Sequence, residues 1–193
     1  MGLMVHSLEA IREGHHRDYY IYLLDYGWHE PLSDALKSNF NKMATLASEQ
    51  DNAVVIMRTD EGIHFNDEVL SWHSINGEDV EQDQLLPAIL ITIRHPVEFR
   101  KRAMGMLDKE GEERLKLILI PLKKHCSSTR ELIDLIKLIF LKIKQGEDLG
   151  NFVVTKEKTS EINGASITSL VIEPNFKGQI FTHNRLLTFF SNE

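Results

Sequence analysis

Residues Tyr22–Pro31 read YLLDYGWHEP. An apolar run stops at Asp25, Gly27 supplies a break, and Trp28 precedes Pro31 by three positions. The apolar run begins upstream. Tyr19–Tyr26 (YYIYLLDY) is rich in aromatic and β-branched residues and bounded by Gly27, the pattern of a strand. Downstream, Pro31 suits the first turn of a helix, where its missing N–H costs nothing. Leu32, Leu36, Phe40 and Met43 then recur on one helical face, with Leu46 and Ala47 continuing it until Asp51-Asn52. The stretch is a strand-to-helix junction, the basic unit of an α/β protein.

The flanking segments extend the alternation. Ala53–Met57 (AVVIM) is a continuous apolar run, suited to the middle of a sheet covered on both faces. Phe65–Ser74 reads as a short helix. Pro87 opens Ala88–Ile93 (AILITI), a second continuous strand, which His95-Pro96 ends. Val97–Leu107 has helical character. Leu115–Leu122 (LKLILIPL) is a further strand, with Pro121 near its end. Ser128-Thr129-Arg130-Glu131 is a Ser-x-x-Glu capping box. The helix it announces, Thr129–Lys144, is apolar round most of its circumference and should be deeply buried. Gly146 is a natural stop. Beyond it, Phe152–Lys158 and Ser166–Ile172 flank Asn163-Gly164, a hairpin signal. The tail NFKGQIFTHNRLLTFF (175–190) is apolar and must pack on this chain or on a partner. Residues 1–18 read as a lead-in, a short helix or irregular. The organisation expected is thus a lead-in (1–18), an α/β domain (19–146) and a C-terminal hairpin with apolar tail (147–193).

Three places resemble the thioredoxin-like superfamily. Asp25–Leu32 (DYGWHEPL) resembles its strand, W-C-x-P-C, helix junction. Met57–Glu61 (MRTDE) resembles its second strand and Asp-containing turn. Leu86–Leu90 (LPAIL) stands where the family has a cis proline before its third strand. The resemblance covers about residues 19–145 and implies a three-layer thioredoxin-like sandwich with a cis bond at Leu86–Pro87, here carrying a C-terminal hairpin extension. The chain departs from the family at the chemistry: His29 and Leu32 occupy the two cysteine positions. It also departs in the long connection between the third and fourth strands. If Val97–Leu107 is instead a regular crossover helix, the alternative is a doubly wound parallel sheet of flavodoxin-like or TIR-like type. The discriminators are the geometry at Leu86–Pro87 and the direction of Leu115–Leu122.

Dithiol exchange needs two sulfurs within bonding reach, and Cys126 is the single cysteine. It follows His125 and Lys124 just before a capped helix, a setting that would lower a thiol's pKa and make it reactive. The competing expectation is a small loop or core residue. Trp28, His29, Glu30 and Pro31, with Leu86 and Pro87, are the candidate binding surface, because ligands in open α/β sheets gather at strand C-terminal ends. In an enzyme, His29 would be a general acid or base oriented by Glu30, with Asp25 lining the cleft. The plainer reading is a core-edge Trp28 beside an exposed first helical turn.

Other chemistries lack a signature. None of the nine histidines forms H-x-x-x-H or a Cys/His pair at zinc spacing. His15-His16 with Asp18 would need help to hold a metal, so neither metal nor cofactor is expected. Neither GxGxxG, GxxxxGK[ST] nor GxSxG is present. Trp72-His73 reads as core packing with a polar edge.

The chain has 193 residues, 42% hydrophobic and 26% charged, with net charge −7. These values fit an ordinary globule. No Lys or Arg falls between Arg58 and Arg94, a stretch holding Asp60, Glu61, Asp67, Glu68, Glu78, Asp79, Glu81 and Asp83. It is a solvated acidic surface or a face for a basic partner. Arg94, Arg100, Lys101, Arg102, Lys123 and Lys124 form a modest basic group. The balance argues against non-specific nucleic-acid binding. No apolar run approaches the roughly 18 residues of a membrane span. The longest, Leu132–Ile143, is broken by Asp134, Lys137 and Lys142. The N-terminus lacks a signal peptide's apolar core, and His6 stands where a myristoylation site needs Ser or Thr. A cytoplasmic protein is expected. The functional expectation is a non-catalytic protein–protein interaction module, with a protein partner or a homodimer through residues 150–193. The alternative is a small-molecule or nucleotide-processing enzyme, or a signalling domain, on a doubly wound sheet.

Overall fold

A computed structural model describes residues 1–14, 16–25, 29–50, 52–73, 75, 85–107, 116–146, 161–162, 165–172 and 176–188. The strands are β1 (Gly2–Val5), β2 (Tyr19–Leu24), β3 (Ala53–Arg58), β4 (Ala88–Thr92), β5 (Lys116–Pro121), β6 (Glu161–Ile162), β7 (Ala165–Ile172) and β8 (Phe176–Thr188). The helices are α1 (Pro31–Ser38), α2 (Phe40–Gln50), α3 (Phe65–Trp72), α4 (Pro96–Ala103), α5 (Leu122–His125) and α6 (Thr129–Lys144), with a 3-10 turn at Leu8–Ala10. Among the described residues, no helix is long and apolar enough to cross a membrane.

The strands form one mixed sheet in the order β1-β3-β2-β4-β5-β8-β7-β6. β3 runs parallel to both β1 and β2. β4 lies antiparallel between β2 and β5. The doubly wound parallel sheet is thereby corrected. Although α4 does sit between β4 and β5, it returns the chain antiparallel and makes no crossover. The Leu86–Pro87 peptide bond is cis, as the sequence reading expects.

Two further expectations change. Residues 2–5 are a strand, because β1 pairs with β3 from Gly2↔Val55 to Val5↔Arg58. Gly2 permits that position, since a Cβ there would come within 2.5 Å of the Ala44 Cβ on α2. The helix expected from Pro31 onward is two helices. Asn39 donates its side-chain amide to the Ala35 carbonyl at 2.8 Å and takes φ −93°, ψ 0°. Its side chain thus competes with the helical ladder, and α2 restarts at Phe40.

Strand alternation divides the core in two. Tyr19, Ile21, Leu23, Val55, Ile89, Ile91, Ile118 and Ile120 face α1, α2 and α6. Tyr20, Tyr22, Leu24, Val54, Ile56, Leu90, Leu117 and Leu119 face the 3-10 turn, α3 and α4. The structure is therefore three-layered around β1–β5. At α6 the capping box forms with a shift of one residue. Ser128 Oγ accepts from the Glu131 N–H at 3.3 Å, and Glu131 Oε2 accepts from the Ser127 N–H at 2.6 Å. In the C-terminal segment, β6 and β7 pair antiparallel across 163–164. The arm expected at 152–158 lies outside the described residues. The apolar tail supplies β8, which pairs with β5 of the same chain.

Candidate functional site

Leu24, Ala88 and Pro121 stand in register across β2, β4 and β5. The Leu122 N–H donates to the Pro87 carbonyl at 2.8 Å. The end of β2, the Leu86–Pro87 bond and α5 therefore share one end of the sheet, so the segments singled out by sequence do converge. Trp28 lies outside the described residues.

Asp25, the residue that ends the apolar run, is the best-defined polar feature there. It is 1% exposed. The Arg58 Nε donates to Oδ1 at 2.8 Å, and the Lys37 Nζ lies 3.1 Å from Oδ2. The side-chain amide of Asn66 donates to the Asp25 backbone carbonyl. Three elements thus meet on one residue: the last residue of β3, the last turn of α1 and the first turn of α3. Parallel pairing places Arg58 beside the end of β2, because Leu23 is opposite Met57. A cation on each carboxylate oxygen offsets the desolvation of a buried charge. Asp25 does not line a cleft with His29 and Glu30. It is a charge-compensated strut that ties β2 to its neighbours.

The first turn of α1 is also resolved into separate roles. Glu30 is the N-cap, its Oε2 accepting from the Ser33 N–H at 3.0 Å. His29 pairs with Asp34 and not with Glu30. The His29 side chain is fully exposed and has its Nδ1 3.4 Å from Asp34 Oδ1, an exposed pair. Pro31 is exposed at the first helical position, while Leu32 turns into the core. Leu86 and Pro87, expected on the recognition surface, are buried.

Cys126 is buried against the α6 side of the core. Burial, with a smaller contribution from the Glu131 carboxylate, pushes its thiol up to about 11. Of the two expectations for Cys126, the small core residue fits; a thiol lowered by Lys124, His125 and the helix start does not, because loss of water destabilises the thiolate. The basic group also separates. Arg100 pairs with Glu9 at 2.6 Å and lies over the Trp72 ring. Arg102 donates to the His73 carbonyl at 3.1 Å. Lys123 and Lys124 lie at the opposite end of the sheet, on α5. In the acidic stretch, Glu68 accepts from Ser7 Oγ and the Leu8 N–H. Glu78, Asp79, Glu81 and Asp83 lie outside the described residues.

His73 is 1% exposed, and its Nδ1 lies 2.7 Å from the Val69 carbonyl. A carbonyl only accepts, so Nδ1 carries the proton. Burial is the main reason its pKa falls to about 3. The ring stands 5.2 Å from Tyr22 and 4.3 Å from Phe99. Among the described residues, no group of three or more His, Cys, Asp or Glu could hold a metal ion. His15 of the His15-His16-Asp18 set lies outside them.

Sequence reasoning missed Arg58, Lys37 and Asn66. The available signal was Asp25 itself: a carboxylate closing a fully apolar strand needs cations from elsewhere in the fold. No protein-family model, no curated protein and no solved structure matches this chain.

Proposed function

We propose that the protein is a thioredoxin-like, non-catalytic interaction module of the cytoplasm that binds a protein partner and no nucleic acid. The observation that carries the proposal is the sheet: β1-β3-β2-β4-β5, with β4 antiparallel between β2 and β5. That arrangement supports the resemblance carried by DYGWHEPL. The single cysteine leaves no dithiol to exchange. Recognition would then use the end of the sheet where the family does its chemistry. The exposed groups there are His29, Pro31, Lys123 and Lys124, with Leu86 and Pro87 as packing behind them. A homodimer through residues 150–193 is a second form of the same proposal.

Native mass spectrometry of the protein purified gently from its own cells tests it, run beside the exposed double variant His29→Glu, Pro31→Asp. The expected result is a stoichiometric partner, or a dimer, seen with wild type. A partner held at the α1 edge is lost in the variant, whereas a dimer through the C-terminal strands is retained. A monomer with no protein partner, or one carrying a nucleotide, contradicts the proposal.

A further inference from the structure

The opposite end of the same sheet carries a feature that the α1 edge does not explain. Toward the starts of β2 and β3, where Tyr20 stands opposite Val54, the chain forms a half-open cavity of about 200 Å3. Its body is apolar, formed by Leu3 of β1, Ile11 after the 3-10 turn, Val54 of β3 and the ring of Tyr20. Two guanidinium side chains, Arg12 and Arg17, also line it, and among the described residues no carboxylate does. Arg12 is exposed. Among the described residues, no ion pair engages its side chain. Arg17 is half-buried, with its Nη2 3.9 Å from Met1 Sδ. The Tyr20 hydroxyl accepts from the Arg17 N–H at 3.2 Å, which fixes the loop that presents the arginine.

Size and charge together define a ligand class. An apolar cavity of about 150 Å3 accommodates benzene, so this one has room for a six-membered ring and a few further atoms. A nucleotide is far too large. Guanidinium groups select planar anions, which they bind through paired N–H donors. We infer that the cavity is a binding site for a small amphiphilic monocarboxylate of benzoate size, its apolar body against Leu3, Ile11 and Val54 and its carboxylate at Arg12. The site is independent of the partner surface proposed at the α1 edge.

The test is a titration of the full ¹⁵N-labelled chain with benzoate and, separately, with benzyl alcohol, a neutral molecule of similar size. Saturable amide shifts confined to the Leu3, Ile11–Arg12, Arg17 and Val54 segments are expected with benzoate, with at least tenfold weaker binding of the alcohol. Arg12→Gln should weaken benzoate about tenfold and leave the alcohol unchanged. Ala10→Trp, at an exposed lining position, should abolish both without unfolding the chain, as judged by the remaining spectrum. Equal affinity for acid and alcohol would overturn the charge assignment. Shifts elsewhere, or none up to the solubility limit, would overturn the site.

Discussion

The two faces of the sheet are filled in different ways. Under α1, α2 and α6 the buried side chains are mostly aliphatic, from Ile21 and Leu23 through Ile118 and Ile120 to Leu132, Ile136 and Ile139. Under α3 and α4, Tyr20 packs edge-on to His95 and Tyr22 edge-on to His73. The aliphatic face gains its stability from burial alone, which is indifferent to protons. The aromatic face holds imidazoles that fold must keep neutral, so its stability is tied to pH.

The largest effects come from breaking either face outright. Phe99→Ala, on the aromatic face, should cost about 3–5 kcal/mol in urea unfolding. It should also raise the pKa of His73, because the void opens beside that ring. A loss below about 1 kcal/mol would mean that α4 is not packed as described. At the end of the sheet on the aliphatic side, Asp25→Ala strands Arg58 without its carboxylate and should cost about 3–5 kcal/mol. The double variant Asp25→Leu, Arg58→Met should recover most of that loss. If it does not, the pair contributes more than mutual neutralisation.

Acid sharpens the comparison further. The pKa of His73 falls from an ordinary 6.5 to about 3 on folding. Between those values the unfolded chain takes up a proton that the folded chain refuses. Stability therefore falls as pH drops through that window and levels off above it, with a slope of up to about 1.4 kcal/mol per pH unit from this residue. His95, also lowered by burial, adds in the same direction. His73→Phe should flatten the acid limb, whereas Leu36→Ala on the other face should lower the whole curve and leave its slope alone. The smallest effect belongs to the α6 cap: Ser128→Ala should cost about 1 kcal/mol at every pH.

The central elements were legible because each carries its own pattern. AVVIM, AILITI and LKLILIPL are short, apolar runs rich in Ile, Leu and Val and bounded by turn residues, which read as buried strands, and Ser128–Glu131 marks the start of α6 by its own chemistry. What escaped the sequence depends on contacts distant along the chain. Residues 2–5 become a strand by pairing with β3, and nothing in GLMV declares this. Asn39 splits a helix whose apolar spacing runs straight through it. Asp25, Lys37 and Arg58 meet only after β2 and β3 lie side by side. The cationic neighbours of Cys126 suggest a reactive thiol, but the other reading, a small core residue, fits its burial. The cavity near Tyr20 draws on three strands and a loop, and no local stretch encodes it.

One face of this sheet buries neutral imidazole, where the other is mostly aliphatic and, among the described residues, buries none. Long-range ¹H–¹⁵N NMR of the His73 ring, followed from neutral pH to about pH 4.5, tests it most directly. The account predicts a single neutral tautomer protonated at Nδ1, unchanged throughout while the chain stays folded. A His73 ring that titrates near 6.5 would contradict it.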